Sequence, residues 1–225
     1  MPPSVASALK QFSLVNHLPL SMLNLLAEHA EIMDYKRREV IYERGECTTE
    51  LYLLLEGSVK QGIHHDDGRE IITQILKSPD LFGESGIVNR KRRSQFATAM
   101  GGGARCVVVP VAIFKEVMRQ DQALTWRVFE KIGQELHRAE NRLEALIFKD
   151  ARTRIIDFLK DSADRHGVPI GLETLVRHSL TQQDIANITG TSRQTVTSVL
   201  NELRKDNLIY FDRRRILIRD CAKLA

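Results

Sequence analysis

Cysteine is scarce in this 225-residue chain, and the three present, Cys47, Cys106 and Cys221, are far apart, odd in number and free of any Cys-x-x-Cys pair. A disulfide framework and a cysteine-built zinc site are therefore not expected. Nor is an iron–sulfur cluster, which needs several suitably placed thiolates. Long apolar runs are missing too, so nothing in the sequence reads as a bilayer span, and the amino terminus lacks the basic-then-apolar pattern of a secretory signal. A cytoplasmic location is the expectation. The sequence holds no cluster of metal ligands, nucleophile elbow or nucleotide-hydrolysing loop, which argues against an enzyme. His17, His29, His64, His65 and His137 carry no feature that marks one of them as a haem ligand.

What is present is an ordinary globular balance, 43% hydrophobic and 28% charged, in a chain longer than a typical single domain. Its charge is unevenly spread. Residues 1–150 hold 20 Lys and Arg against 20 Asp and Glu, whereas 151–225 hold 13 against 9, so the whole +4 excess lies in the last third. A balanced front and a basic back predict two modules, with affinity for nucleic acid confined to the second.

That basic third contains the most informative stretch, LTQQDIANITGTSRQTVTSVLNELRKDNL, which begins at Leu180 and ends at Leu208. Thr181 is placed to cap a helix, with Asp184 three residues later reaching back as in a capping box, and Ile185, Ala186 and Ile188 face inward. Gly190 suits the left-handed conformation that ends a helix, and Ser192 offers a second N-cap only two residues on. The spacing predicts two short helices crossing through a tight turn, a helix-turn-helix. In its second helix Val196, Val199, Leu200 and Leu203 form the buried stripe and leave Gln194, Thr197, Ser198 and Asn201 outside. Arg193, in the first turn, can reach into a major groove and pair bidentately with guanine, and the Gln194 amide suits adenine. A helix-turn-helix used only for packing or dimerisation is the competing reading; the paired caps and the Arg-Gln-Thr outer face favour groove reading. Two β-prone runs then flank a charged tip, predicting a wing-like hairpin with Arg213, Arg214 and Arg215 near its turn, set against phosphates or simply solvated.

The front of the chain is organised differently. Across 39–110, short β-prone runs such as Leu51-Tyr-Leu-Leu-Leu55 and Cys106-Val-Val-Val109 alternate with Gly45, Gly57, Gly68 and Gly83, predicting a small β-sandwich or roll with glycines at its turns. Gly101-Gly-Gly103 reads as a flexible hairpin tip. Between them, Gly83-Glu-Ser-Gly86 followed by Arg93-Ser94 offers small residues that let backbone N–H groups approach an anion, a carboxylate for sugar hydroxyls, and a phosphate clamp. Those parts suit a cyclic nucleotide, although on spacing alone a Gly-rich turn followed by the basic run Arg90-Lys-Arg-Arg93 is more often a solvated loop. A helix predicted over 122–149 places Phe129, Leu136 and Leu143 seven residues apart, with Ile132, Ala139 and Leu146 interleaved. An apolar stripe can also pack a helix on its own domain, but the sevenfold spacing favours a coiled-coil seam and predicts a two-fold dimer.

Taken together, these residues resemble the Crp/Fnr family of transcription regulators over essentially the full length. Three matches in the right order carry the resemblance. They are Glu39-Val-Ile-Tyr-Glu-Arg-Gly45 through Leu51-Tyr-Leu-Leu-Leu-Glu-Gly57 and Asp67-Gly-Arg-Glu70, then Gly83-Glu84-x-Gly86 with Arg93-Ser94, then Ser192-Arg-Gln-Thr-Val196. The resemblance implies an α+β fold with an effector-sensing β-roll of the cyclic-nucleotide-binding type (1–121), a dimerisation helix (122–149) and a winged helix-turn-helix (150–225). It implies an effector pocket of Gly83, Glu84, Ser85, Arg93 and Ser94, with a cyclic nucleotide as the expected effector. It further implies palindromic double-stranded DNA met through Thr181, Ser192, Arg193, Gln194, Thr197, Ser198, Arg213 and Arg214, with RNA polymerase as a further partner.

The chain also departs from the family pattern. Its Glu84-to-Arg93 interval is one residue short, and Gln95 follows Arg93-Ser94 where Ala is usual. Ala139-Glu140 stand where cyclic-AMP-binding members carry base-reading hydroxyls; Glu140 can still accept from an exocyclic amine, which leaves cyclic AMP, another nucleotide or no effector open. Gln194 replaces a Glu and Ser198 an Arg, predicting a half-site related to TGTGA but different from it. Coupling is expected to run through the seam and a hinge at Phe148-Lys-Asp150. The second reading, a nucleotide-binding module docked on a protein partner, fits the basic wing less well.

Overall fold

The computed structural model describes residues 4–212 and 214–224. The chain divides into two compact units, one of residues up to Arg69 with Thr73–His137, the other of Glu70–Ile72 with Arg138 onward. The first begins with helices α1 (Val5–Leu9) and α2 (Leu20–His29). Strands β1 (Glu31–Tyr35), β2 (Val40–Tyr42), β3 (Glu50–His64), β4 (Glu70–Lys77) and β5 (Asp80–Phe82) follow, then a 3-10 turn at Glu84–Gly86, strand β6 (Phe96–Pro110) and helices α3 (Val111–Gln120) and α4 (Gln122–Phe148). All six strands belong to one sheet built on the long antiparallel pair β3 and β6.

Side chains alternate across that pair, and both sides are buried. Leu51, Leu53, Leu55, Val107 and Val109 pack with Phe114, Leu124 and Val128 from the helices. Tyr52, Leu54, Cys106 and Val108 turn the other way, onto Tyr42 and Phe82. Burial on both faces is why Leu51-Tyr-Leu-Leu-Leu55 reads as an unbroken apolar run.

Two glycine assignments are corrected here. Gly101, Gly102 and Gly103 lie inside β6, not at a hairpin tip, and Gly57 lies inside β3, not at a turn; the β3–β6 register shifts beside Gly57. A Cβ on Gly57 would stand 2.1 Å from Gly103 O, and one on Gly103 would stand 2.5 Å from Tyr35 O. Three backbones therefore approach too closely for any side chain, a long-range cause that a local reading of Gly-Gly-Gly misses. Gly57 also sits at φ +87. Gly57→Ala is accordingly expected to cost about 3 kcal/mol or more, seen as a lower urea midpoint at unchanged slope.

The second unit follows α4 with α5 (Ala151–His166), β7 (Gly167–Ile170), β8 (Glu173–Arg177), α6 (Gln182–Thr189), α7 (Arg193–Lys205), β9 (Ile209–Phe211) and β10 (Arg215–Ile218). Its sheet runs β7-β8-β10-β9, antiparallel throughout. The β7–β8 hairpin has no counterpart in the sequence reading, whereas β9 and β10 are the predicted wing strands. Ile155, Leu159, Ile185, Ala186, Val196, Val199, Leu200 and Leu203 share one core with Ile209 and Ile216.

Asp121 Oδ1 accepts from Leu124 N at 2.6 Å at the start of α4, and Asp150 Oδ1 accepts from Thr153 N at 2.7 Å as the N-cap of α5. Two faces of α4 differ. Leu124 and Val128 are buried in the first core, while Phe129, Leu136 and Leu143 are 56%, 61% and 60% exposed. Within the second unit, Leu146 Cδ2 lies 2.8 Å from where a Gly190 Cβ would be. Arg154 fastens the same region. Its guanidinium donates to Thr189 O at 2.8 Å, Gly190 O at 3.1 Å and Lys149 O at 2.6 Å, satisfying carbonyls that the ends of α6 and α4 leave open.

Candidate DNA-reading face and effector cleft

The helix-turn-helix forms as its caps dictate. Thr181 Oγ1 accepts from Asp184 N at 3.1 Å, and Asp184 Oδ2 accepts from Thr181 N at 2.7 Å, closing the capping box. Gly190 takes φ +63, and Ser192 Oγ accepts from Thr195 N at 3.0 Å to start α7. Both hydroxyls are thus committed to holding helix ends, where free N–H groups and the helix dipole favour a phosphate.

On the outer side of α7, Arg193, Gln194 and Ser198 are exposed, and no described residue pairs with the Arg193 guanidinium. Thr197 is placed differently. Its hydroxyl donates toward Gln182 Oε1 at 2.7 Å and Arg193 O at 2.9 Å, pinning α7 to α6. In the wing, Asp212 accepts from Arg214 N at 2.9 Å and Arg215 N at 3.1 Å and pairs with the Arg215 side chain at 2.6 Å, so Arg214 is exposed at a shaped turn while Arg215 is tied down. The wing position Arg213 lies outside the described residues.

The effector candidates gather around the 3-10 turn. Gly83 opens it at φ +79, and a Cβ there would stand 2.8 Å from Arg93 Nη1 and 3.0 Å from the Tyr52 ring. Gly86 is pressed just as closely on Thr48 O, at 2.6 Å. Both glycines thus have a packing reason beyond anion approach. Arg93 is buried, only 4% exposed. Its Nη1 donates to Gly83 O at 2.8 Å, its Nη2 to Glu50 O, and its guanidinium lies 4.2 Å over the Tyr42 ring. Ser85 is half-buried and Ser94 exposed. Glu140 is exposed on α4.

Two residues that the sequence reading passed over complete the group. Leu124, Val128, Lys131 and Glu135 follow one another at four-, three- and four-residue steps along the inner face of α4. Lys131 Nζ bonds Asp80 Oδ1 at 2.5 Å and reaches Glu135 Oε1 at 3.3 Å. Burial opposes the Lys131 charge, but Asp80 and Glu135 outweigh it and raise the ammonium pKa. Burial, and next the adjacent Glu135 carboxylate, push the Glu84 carboxyl up to about 7. Glu84 Oε2 and Arg93 Nε are buried without a hydrogen-bond partner among the described residues, and Glu135 Oε1 has only its 3.3 Å ion pair with Lys131. Unpaired buried polar atoms cost stability, and a cluster of them fits a ligand with an anionic group for Arg93 and a hydroxyl for the carboxyls. The signal in the sequence was the inward spacing of Lys131 and Glu135, which the stronger heptad pattern on the opposite side masked.

No helix among the described residues is long and apolar enough to cross a membrane. Residues 32–121 match the family model for a cyclic nucleotide-binding domain, and residues 153–225 match that for a Crp-like helix-turn-helix domain. Among curated proteins, the CRP-like cAMP-activated global transcriptional regulator of Mycobacterium tuberculosis is 29% identical over 205 residues, covering 91% of each chain. The cAMP-activated global transcriptional regulator Vfr of Pseudomonas aeruginosa is 28% identical over 211 residues, covering 91% of this chain and 97% of its own. In fold, the chain is similar to FixK2 from Bradyrhizobium japonicum, with a TM-score of 0.77 at 22% identity over 87% of this chain and 95% of that one. It is equally similar to a CooA mutant from Carboxydothermus hydrogenoformans, with a TM-score of 0.77 at 21% identity over 100% of this chain and 95% of that one.

Proposed function

Since the chain belongs to the Crp/Fnr family of DNA-binding transcription regulators and is not an enzyme, we propose that it works as a cytoplasmic homodimer on a palindromic operator, under control of a cyclic nucleotide in the β-roll. The observation that carries the DNA part is the exposed Arg193-Gln194 pair at the start of a helix whose orientation is fixed by two side-chain caps and the Arg154 clamp. Arg193 reads a guanine, Gln194 an adjacent base, and Arg214 with the helix N-termini holds phosphates. The stripe of Phe129, Leu136 and Leu143 is the contact between protomers, spacing two recognition helices one turn of the duplex apart.

For the effector, the unpaired Arg93 Nε and Glu84 Oε2 support a phosphate and a ribose hydroxyl, the two groups a cyclic nucleotide presents together. The two curated relatives are named as cAMP-activated, which makes cyclic AMP the first nucleotide to test. Bound nucleotide would bias α4, and typical coupling of ~1–3 kcal/mol changes operator affinity several-fold to a hundredfold. RNA polymerase is the proposed downstream partner.

Thermal-shift titration of the purified chain with cyclic AMP should show stabilisation growing with RT ln(1 + [L]/Kd), and Arg93→Ala should abolish it relative to that variant's own ligand-free melting. An equal shift in both proteins would exclude this cleft. Operator retention that drops steeply with salt separates DNA binding from docking on a protein partner.

A further inference from the structure

Beyond Arg93 and Glu84, the cleft contains a second carboxyl group brought by α4, and its placement has a chemical consequence. Glu84 and Glu135 are close enough for each carboxyl to act on the other; Glu84 Oε2 is buried with no hydrogen-bond partner among the described residues, and Glu135 Oε1 has only its ion pair with Lys131. Lys131 of α4 is shared between carboxylates, its Nζ lying 2.5 Å from Asp80 Oδ1 of β5 and 3.3 Å from Glu135 Oε1. Arg93 turns its two terminal nitrogens to the carbonyls of Gly83 and Glu50. From β2, the Tyr42 hydroxyl is held by Gln61 at 2.6 Å. One ammonium shared between Asp80 and Glu135, with Arg93 turned to backbone carbonyls, leaves the neighbouring Glu84 and Glu135 carboxyls short of cations, so ionising both is costly and the pair favours keeping a proton.

We propose that Glu135 is a specificity-determining residue of the effector site: the Glu84–Glu135 pair holds one proton, and a hydroxyl of the effector seats between the two groups, donating to one carboxylate and accepting from the other acid. A hydroxyl is the group that matches such a pair, because it is donor and acceptor at once. A ligand lacking a hydroxyl at that place leaves the buried Glu84 Oε2 unpaired. This rests on the effector reading above and adds the chemistry it selects for.

The pH dependence follows from the direction of the shift. Glu84 is raised by burial and by Glu135 to about 7, so the singly protonated pair is intact below that pH and is lost as the pH rises through it. Hydroxyl recognition should fall in the same window. Replacing Glu135 with Gln supplies a permanent donor and removes the like charge, which should bring the Glu84 pKa down while burial, the larger cause, still holds it up, and so weaken the pH dependence of recognition.

The test is calorimetric titration of the full-length protein and of Glu135→Gln with cyclic AMP and 2′-deoxy cyclic AMP, at about pH 6 and about pH 8.5. For the unsubstituted protein, cyclic AMP affinity should drop roughly tenfold or more between the two conditions, while Glu135→Gln loses distinctly less and the deoxy compound binds weakly at both. Equal pH profiles in the two proteins, or equal binding of the deoxy compound, overturn the proposal while leaving nucleotide binding intact. Absence of cyclic AMP binding under every condition overturns the effector reading for that nucleotide and, with it, the hydroxyl seat. The shared proton is then judged by carbon-13 carboxyl titration: a Glu84 resonance titrating near neutrality that moves downward in Glu135→Gln upholds the pair, and one unmoved by the substitution, or already in the usual carboxylate range in the unsubstituted protein, overturns it.

Discussion

Glutamate at both Leu136 and Leu143 is expected to leave the chain monomeric and to weaken binding to a palindromic operator by roughly 100- to 10,000-fold. Both leucines are about three-fifths exposed on the outer stripe of α4, on the same side as Phe129, and neither belongs to a core of the chain. Exposed leucines repeated every seven residues form a seam that only another helix covers. Four carboxylates in that seam would repel across the two-fold axis, and each protomer would then meet its half-site alone. Because these positions support no internal packing, urea unfolding of the isolated chain should change by less than about 1 kcal/mol, which separates lost pairing from lost folding. Sedimentation equilibrium and fluorescence anisotropy read the two effects. A variant that still sediments as a dimer would relocate the interface.

Arg193→Ala carries the other large effect. Its guanidinium is exposed, is paired with no described residue and opens a helix that Ser192 caps, so the substitution is expected to remove the proposed contact to DNA without touching the fold. A bidentate pair with guanine is worth about 1–3 kcal/mol, and a palindrome contains two such sites, so the dimer should lose roughly 30-fold to ten-thousandfold in affinity. The loss should be specific. Binding selection with the variant should return operators relaxed at one symmetry-related guanine and unchanged elsewhere, whereas Arg214→Ala should weaken all sequences alike and flatten the salt dependence. An unchanged site at unchanged affinity would remove Arg193 from the reading set.

Much of this was legible where cause and effect are close in sequence. The box of Thr181 and Asp184, the left-handed Gly190 and the cap at Ser192 are contacts within a few residues, and the structure forms each of them. The buried stripe of α7 follows from spacing alone. What escaped depends on distant partners. Gly57 and Gly103 are glycines because strands dozens of residues apart press their backbones together, and a triple glycine read locally looks like a tip. Thr197 presents itself in sequence as a base-facing hydroxyl, but Gln182 of the preceding helix already holds it. Lys131 and Glu135 were hidden because α4 carries two patterns, and the apolar one is easier to see than a charged pair whose meaning depends on Glu84 lying opposite.

That double patterning on α4 leaves the helix little freedom to turn about its own axis. Glu135 and Leu136 are neighbours in sequence and point about 100° apart, one toward the nucleotide cassette and the other outward. A roll that drew Glu135 nearer a ligand would swing Leu136 by the same angle, so the spindle cannot answer a small molecule on one flank without displaying it on the other.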